Sequence, residues 1–144
     1  MRHLNVAHLQ LDDMSCHGTP SEWANEVAAA YNEWKADIVV AESNFGGDMV
    51  AHTIRTADPA INIKLAHSSR GKIVRAEPVS SLYEQGKVKH REPFEELELE
   101  LCTYSEETKQ SPNRLDALVF AVLELAGSST LKLDAEDKKY LFGI

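Results

Sequence analysis

Ala36-Asp37-Ile38-Val39-Val40-Ala41-Glu42-Ser43-Asn44-Phe45-Gly46-Gly47 is the stretch on which the reading of this chain turns. Ile38 to Ala41 is an unbroken apolar run with two Val and one Ile, the pattern of a strand buried on both faces of an α/β sheet. The run ends in an acid, Glu42, then a Ser-Asn pair and two glycines, after which a helical pattern begins. In open α/β sheets chemistry gathers at the carboxyl ends of strands, where loops turn into helices. A carboxylate placed directly after a buried strand adds little to strand stability. Two readings of Glu42 therefore stand side by side: a turn or helix-capping residue, or a metal ligand. The second requires another acid at the same edge.

Working outward, residues 3 to 11 predict a short strand ending at Asp12-Asp13. Thr19-Pro20-Ser21-Glu22 predicts a helix start, because Thr19 can cap, Pro20 suits the first helical position and Glu22 completes a capping box. Trp23, Val27, Ala30, Tyr31 and Trp34 follow at helical spacing, a core-facing stripe that ends near Lys35. Beyond the central strand the spacing predicts a helix from Gly47 to about Thr56, stopped by Asp58-Pro59, and a strand from Ile61 to Ala66. Gly71 to Gln85 is helical in pattern, with Pro78 expected to end or kink an early turn and Gly86 expected to stop the helix. Lys87 to His90 predicts a short strand at or near a sheet edge. Two helices follow, an acidic one opened by Pro93 and an apolar one from Ser111-Pro112 to about Ala126. The order β-α-β-α-β-α-β-α-α predicts a layered α/β domain with a largely parallel sheet. We assign that domain to 1–127, and 128–144 to a linker and charged tail.

Composition narrows the function classes. A chain of 144 residues, 43% hydrophobic and 26% charged, suits one soluble domain with a sizeable core. No apolar run is long enough to span a membrane, and Met1-Arg2-His3-Leu4 lacks a secretory apolar region. Cys16 and Cys102 form no zinc or CxxC pattern, so reduced cytosolic thiols are expected. A net charge of −8 argues against a nonspecific nucleic-acid coat protein. It leaves room for an enzyme on nucleic acid, because metal-binding carboxylates count as negative until the metal arrives.

The second acid lies in the last helix. Every residue from Leu115 to Leu123 is apolar except Asp116. A helix apolar nearly all round is buried, so Asp116 is expected to face inward or toward a cleft. An acid in a first turn also complements the helix dipole, which is the alternative account. A buried carboxylate needs a partner, and a divalent ion is one. Hard oxygen ligands such as Glu42 and Asp116 suit magnesium or manganese.

Between the two acids lies a basic segment. Lys64 to Arg91 carries seven Lys/Arg against two acids, whereas Glu92 to Glu107 carries seven acids and no Lys or Arg. Ser68-Ser69-Arg70-Gly71-Lys72 places hydroxyls, a glycine and two cations where a loop turns into a helix, a pattern suited to phosphate. The alternative is a solvated charged face. Acids with divalent metal beside a basic strip would suit phosphodiester hydrolysis.

Several of these segments resemble a known family. Ser21-Glu22-Trp23-Ala24, the Val40–Gly47 turn, Ser69-Arg70-Gly71-Lys72-Ile73-Val74-Arg75-Ala76-Glu77-Pro78, Tyr83-Glu84-Gln85-Gly86-Lys87-Val88 and Ser111-Pro112-Asn113-Arg114-Leu115-Asp116-Ala117-Leu118 occur in that order. Together they closely resemble the C-terminal nuclease domain of tailed-phage terminase large subunits, over roughly Leu9 to Ala126. The resemblance implies a ribonuclease-H-like fold, a mixed or parallel sheet flanked by helices. It implies endonucleolytic cleavage of concatemeric double-stranded DNA during packaging, with two Mg2+ or Mn2+ ions held by three acids. Glu42 then corresponds to the second catalytic, metal-binding acid and Asp116 to the third. Lys72 and Arg75, with Arg70 beside them, would contact the DNA backbone, and Asn44, Gly46 and Gly47 would form a structural turn.

In the family the first acid lies on an opening strand, followed by a second strand. This sequence starts at what resembles the third strand, so we expect an N-terminally truncated domain whose Ile38–Ala41 strand has an open edge unless another chain or the His3–Leu11 strand pairs there. An open edge would invite self-association. Other expected partners are duplex DNA, the portal, the small terminase subunit or a separate N-terminal terminase fragment, in the cytoplasm of a bacterial host. A non-cleaving prophage remnant, or a module binding DNA or packaging proteins, is the alternative. Phe45-Gly46-Gly47 lacks the spaced glycines or Lys-Ser/Thr of a nucleotide loop.

Overall fold

Along the chain the elements run β1 (His8–Gln10), α1 (Pro20–Glu33), β2 (Ile38–Glu42), α2 (Gly47–Ala57), β3 (Ile63–Ala66), α3 (Lys72–Glu84), β4 (Val88–His90), α4 (Glu95–Thr103), α5 (Asn113–Ser128) and β5 (Tyr140–Phe142). The computed structural model describes residues 8–10, 12–43, 46–67, 69–128 and 140–142. They group into two compact units, Met14–Ser69 with Glu136–Ile144, and Met1–Asp13 with Arg70–Ala135. We refer to them as the β2 unit and the α5 unit.

In the β2 unit, β2 is the middle of a three-stranded parallel sheet in the order β3-β2-β5. Val39, Val40 and Ala41 are buried, as the unbroken apolar run predicts. Val39 joins Val27 of α1, Ile54 of α2 and Ile61 in one cluster, with Trp23, Ala28, Tyr31, Val50 and Ile63 packed against it. Each fully buried Val or Ile contributes about 1.5–3 kcal/mol. Helix α1 opens on the expected capping box: Thr19 Oγ1 accepts from the Glu22 amide while the Glu22 carboxylate accepts from the Thr19 amide. It closes with Lys35 at φ 49°, whose left-handed turn lets the Ala36 amide reach the Tyr31 carbonyl at 2.9 Å.

In the α5 unit, β1 and β4 form a two-stranded parallel pair, with Gln10 opposite His90. Leu115, Leu118, Val119 and Val122 of α5 share a helical face and bury against Val79, Val88, Phe94 and Leu97. Helix α3 ends as the glycine predicts. Gly86 sits at φ 68°, and the amides of Gly86 and Lys87 bond the carbonyls of Tyr83 and Leu82 at 2.9 Å. Pro78 does not end α3, which runs through it to Glu84. The amide bond that Pro78 cannot make would serve the Val74 carbonyl, and both residues lie on an exposed side.

Two expectations differ from what is seen. The tail assigned to 128–144 contains β5, which pairs with Ile38, Val39 and Val40 of β2. The β2 edge expected to be open is therefore closed within the chain, and β1 pairs with β4.

Candidate active site

Asp116 lies in the first turn of α5, and its amide bonds the Pro112 carbonyl at 2.9 Å. Lys72 and Arg75 stand three residues apart in the first turn of α3, on one face of that helix. The two turns meet at the carboxylate. Arg75 Nη2 donates to Asp116 Oδ1 at 3.2 Å, and the Lys72 ammonium contacts Oδ2. Lys72 Nζ also donates to Ser111 Oγ at 2.9 Å. The Arg75 guanidinium lies 4.8 Å over the ring of Phe120, a full helical turn beyond Asp116. Exposure differs along this network: the Arg75 and Asp116 side chains are 7% and 11% exposed, that of Lys72 32%. The sequence placed Asp116 inward correctly. The partners of its carboxylate are two protein cations.

The start of α5 is held by a second charged group. Glu100 of α4 accepts the Leu115 amide at 2.9 Å and lies 3.6 Å from Arg114 Nη1. Arg114 Nε donates to Asp13 Oδ2 at 3.0 Å, and Arg114 also pairs with Glu96. Asp13, one of two acids after β1, is thus engaged by the residue two positions before Asp116. Sequence reading missed Arg114, Glu100 and Ser111. The available signals were the Ser111–Leu118 motif for Ser111 and Arg114, and the acidic segment before the last helix for Glu100.

His90, at the carboxyl end of β4, joins a further network. Its Nδ1 lies 2.8 Å from Glu98 Oε1 and its Nε2 2.7 Å from the Tyr83 hydroxyl. A carboxylate only accepts, so Nδ1 carries the proton, and in the neutral ring Nε2 accepts from Tyr83. Burial, and then the negative charge of Glu98, push the Tyr83 hydroxyl up to about 12. The His90 hydrogen bond, and then the Phe94 amide, hold the Glu98 carboxyl below the usual range.

Residues 10–125, well over half of the chain, match the family model described as the terminase RNaseH-like domain. The chain belongs to this terminase family. No curated protein and no solved structure matches it.

In this terminase RNaseH-like chain, Glu42 ends β2 at its carboxyl edge and is exposed. It belongs to the β2 unit, whereas Asp116, Lys72, Arg75 and the exposed Arg70 belong to the α5 unit. Ser43 extends the edge after Glu42, with its amide bonding the Ala66 carbonyl at 2.9 Å. Of the expected turn residues, Asn44 lies outside the described residues. Gly46 caps α2 from the left-handed region at φ 78°. Gly47 is needed for space, because a Cβ there would come within 2.7 Å of the Ser43 Cβ.

As a donor, Asp116 suits the hard divalent ions that a terminase nuclease implies. Its surroundings do not make a ready site for one. Both carboxylate oxygens meet protein cations, and among the described residues no three His, Cys, Asp or Glu form a group that could hold a metal.

Proposed function

We propose that this terminase RNaseH-like chain acts on duplex DNA as an endonuclease of the packaging type, cutting concatemeric double-stranded DNA. One observation carries the reading. The acid that corresponds by resemblance to a catalytic position, Asp116, is held near-buried at a helix start beside Lys72 and Arg75, two cations from a separate segment of the resemblance. A backbone-binding surface needs cations, and Arg70 and Lys72 lie at the α3 start, where amide groups favour anions. Glu42 is, by resemblance, a second proposed catalytic acid of the chain. Mg2+ or Mn2+, when bound, would supply an activated water and charge stabilisation at phosphorus. The chain's own groups bind and orient: Arg70 and Lys72 for the phosphate backbone, Arg75 for the Asp116 carboxylate.

A plasmid-nicking assay with Mn2+ tests the reading. Supercoiled DNA should be nicked by the wild-type chain, and Asp116→Asn and Glu42→Gln should each remove that activity. Clean protein that shifts DNA on a gel without cutting it would replace this reading with that of a binding module. The cations on both Asp116 oxygens are the observation that favours that second reading.

A further inference from the structure

Lys72 and Arg75 are held on Asp116, but the basic segment continues into β4 as Lys87-Val88-Lys89-His90-Arg91. There the strand alternation sorts residues by face. Val88 is buried with Val79 of α3, Leu97 of α4 and Leu115 of α5, and His90 turns the same way, to Tyr83 and Glu98. Lys89 lies between them on the opposite face, and Lys87 and Arg91, just before and after the strand, are exposed. At about 3.3 Å per residue the three cations form a row about 13 Å long. Neither lysine makes an ion pair among the described residues. Arg91 pairs with Glu92 at 3.3 Å, both side chains being about half exposed, a solvent-screened contact that a stronger anion can replace.

We propose that Lys87, Lys89 and Arg91 form a track for the phosphate backbone of duplex DNA. A small anion is held by donors that converge on it. These cations are instead spread along a line, which suits a polymer of evenly spaced charges. In a chain of net charge −8, a positive strip on one face also sets where a polyanion can approach. The track leads toward Asp116. The Arg91 amide donates to the Gln10 carbonyl at 2.9 Å, and Asp13, three residues further on, accepts from Arg114, two positions before Asp116. Three residues of chain span at most about 11 Å, so the Arg91 end of the row is the one near the α5 start. The inference rests on the reading that this chain handles duplex DNA, to which it adds contacts outside α3, and its test needs no cleavage.

Fluorescence anisotropy of a labelled DNA duplex in EDTA, over a series of salt concentrations, reads binding by the full chain without cutting. Each phosphate contact adds about 0.9 to the slope of log K against log salt. Lys87→Gln and Lys89→Gln should therefore each lower the wild-type slope by about 0.9, and together they should weaken binding at least about tenfold at low salt. Lys87→Arg with Lys89→Arg should keep the wild-type slope, because the contact is ionic. Lys109→Gln makes the same change in charge as each single variant, at an exposed site of the α5 unit, and should leave the slope unchanged. An unchanged slope in the double Gln variant would overturn the proposal, as would an equal drop in Lys109→Gln or a lost slope in the Arg pair. Failure of the wild-type chain to bind duplex DNA would overturn it too. Binding through these lysines by protein that never nicks plasmid would leave the track standing and remove only the nuclease reading. Plasmid nicking with an unchanged slope in the Gln variants would do the reverse.

Discussion

Arg75 Nη2 stands 3.2 Å from Asp116 Oδ1, and both side chains are buried although they lie 41 positions apart in sequence. This pair ties the first turns of α3 and α5 together. Breaking a buried ion pair from one side costs about 3–5 kcal/mol, because the remaining charge loses its partner. Here Lys72 still faces the carboxylate, so Arg75→Met should cost about 3 kcal/mol, at the lower end of that range. Urea unfolding followed by circular dichroism measures it. The double variant Arg75→Met, Asp116→Leu should recover most of the loss, and equal instability of single and double variants would show that the pair is not the cause.

Gly47 sets the geometry of the Glu42 edge. Its missing Cβ leaves room for the Ser43 Cβ, which a side chain at 47 would approach to 2.7 Å. Gly47→Ala should therefore destabilise the chain by about 1–3 kcal/mol, as overpacking does. The cost should shrink in a Ser43→Gly background, where the clashing carbon is gone. A thermal-denaturation cycle over the four proteins gives the coupling, and additive effects would contradict the close approach.

The Tyr83–His90–Glu98 network predicts opposite behaviour at the two ends of the pH range. The Tyr83 hydroxyl titrates higher in the folded chain, at about 12 against an ordinary 10.0. Its contribution is complete below pH 10 and is lost as pH rises toward 12, because the unfolded chain ionises first. Glu98 titrates lower when folded than its ordinary 4.5, so its contribution is present above that value and is lost as pH falls through the folded value. Tyr83→Phe should flatten the alkaline limb of a stability–pH curve, and Glu98→Gln the acid limb. Ultraviolet titration offers a direct check: Tyr83 should ionise late, in a phase that Tyr83→Phe removes.

Helix α1 and the strand β2 were legible because their signals are local. A Thr-Pro-Ser-Glu capping box states where a helix starts, and four apolar residues bounded by turn formers state a buried strand. Strand β5 was not legible. Three residues cannot display a period of two, and Tyr140–Phe142 becomes a strand because β2 offers an edge to pair with. Pro78 misled for a related reason: its position is exposed, so the bond it forfeits costs less than in a packed helix interior.

Sequence alone determined the succession of strands and helices from β1 to α5, the inward placement of Asp116 and the membership of a terminase family. These depend on side-chain spacing and on motifs carried by neighbouring residues. Tertiary structure alone decided that β5 closes the β2 edge and that Lys72 and Arg75 are the cations on Asp116. Both are contacts between distant segments, selected by which backbone edge or buried charge still needs a partner after the local elements have formed.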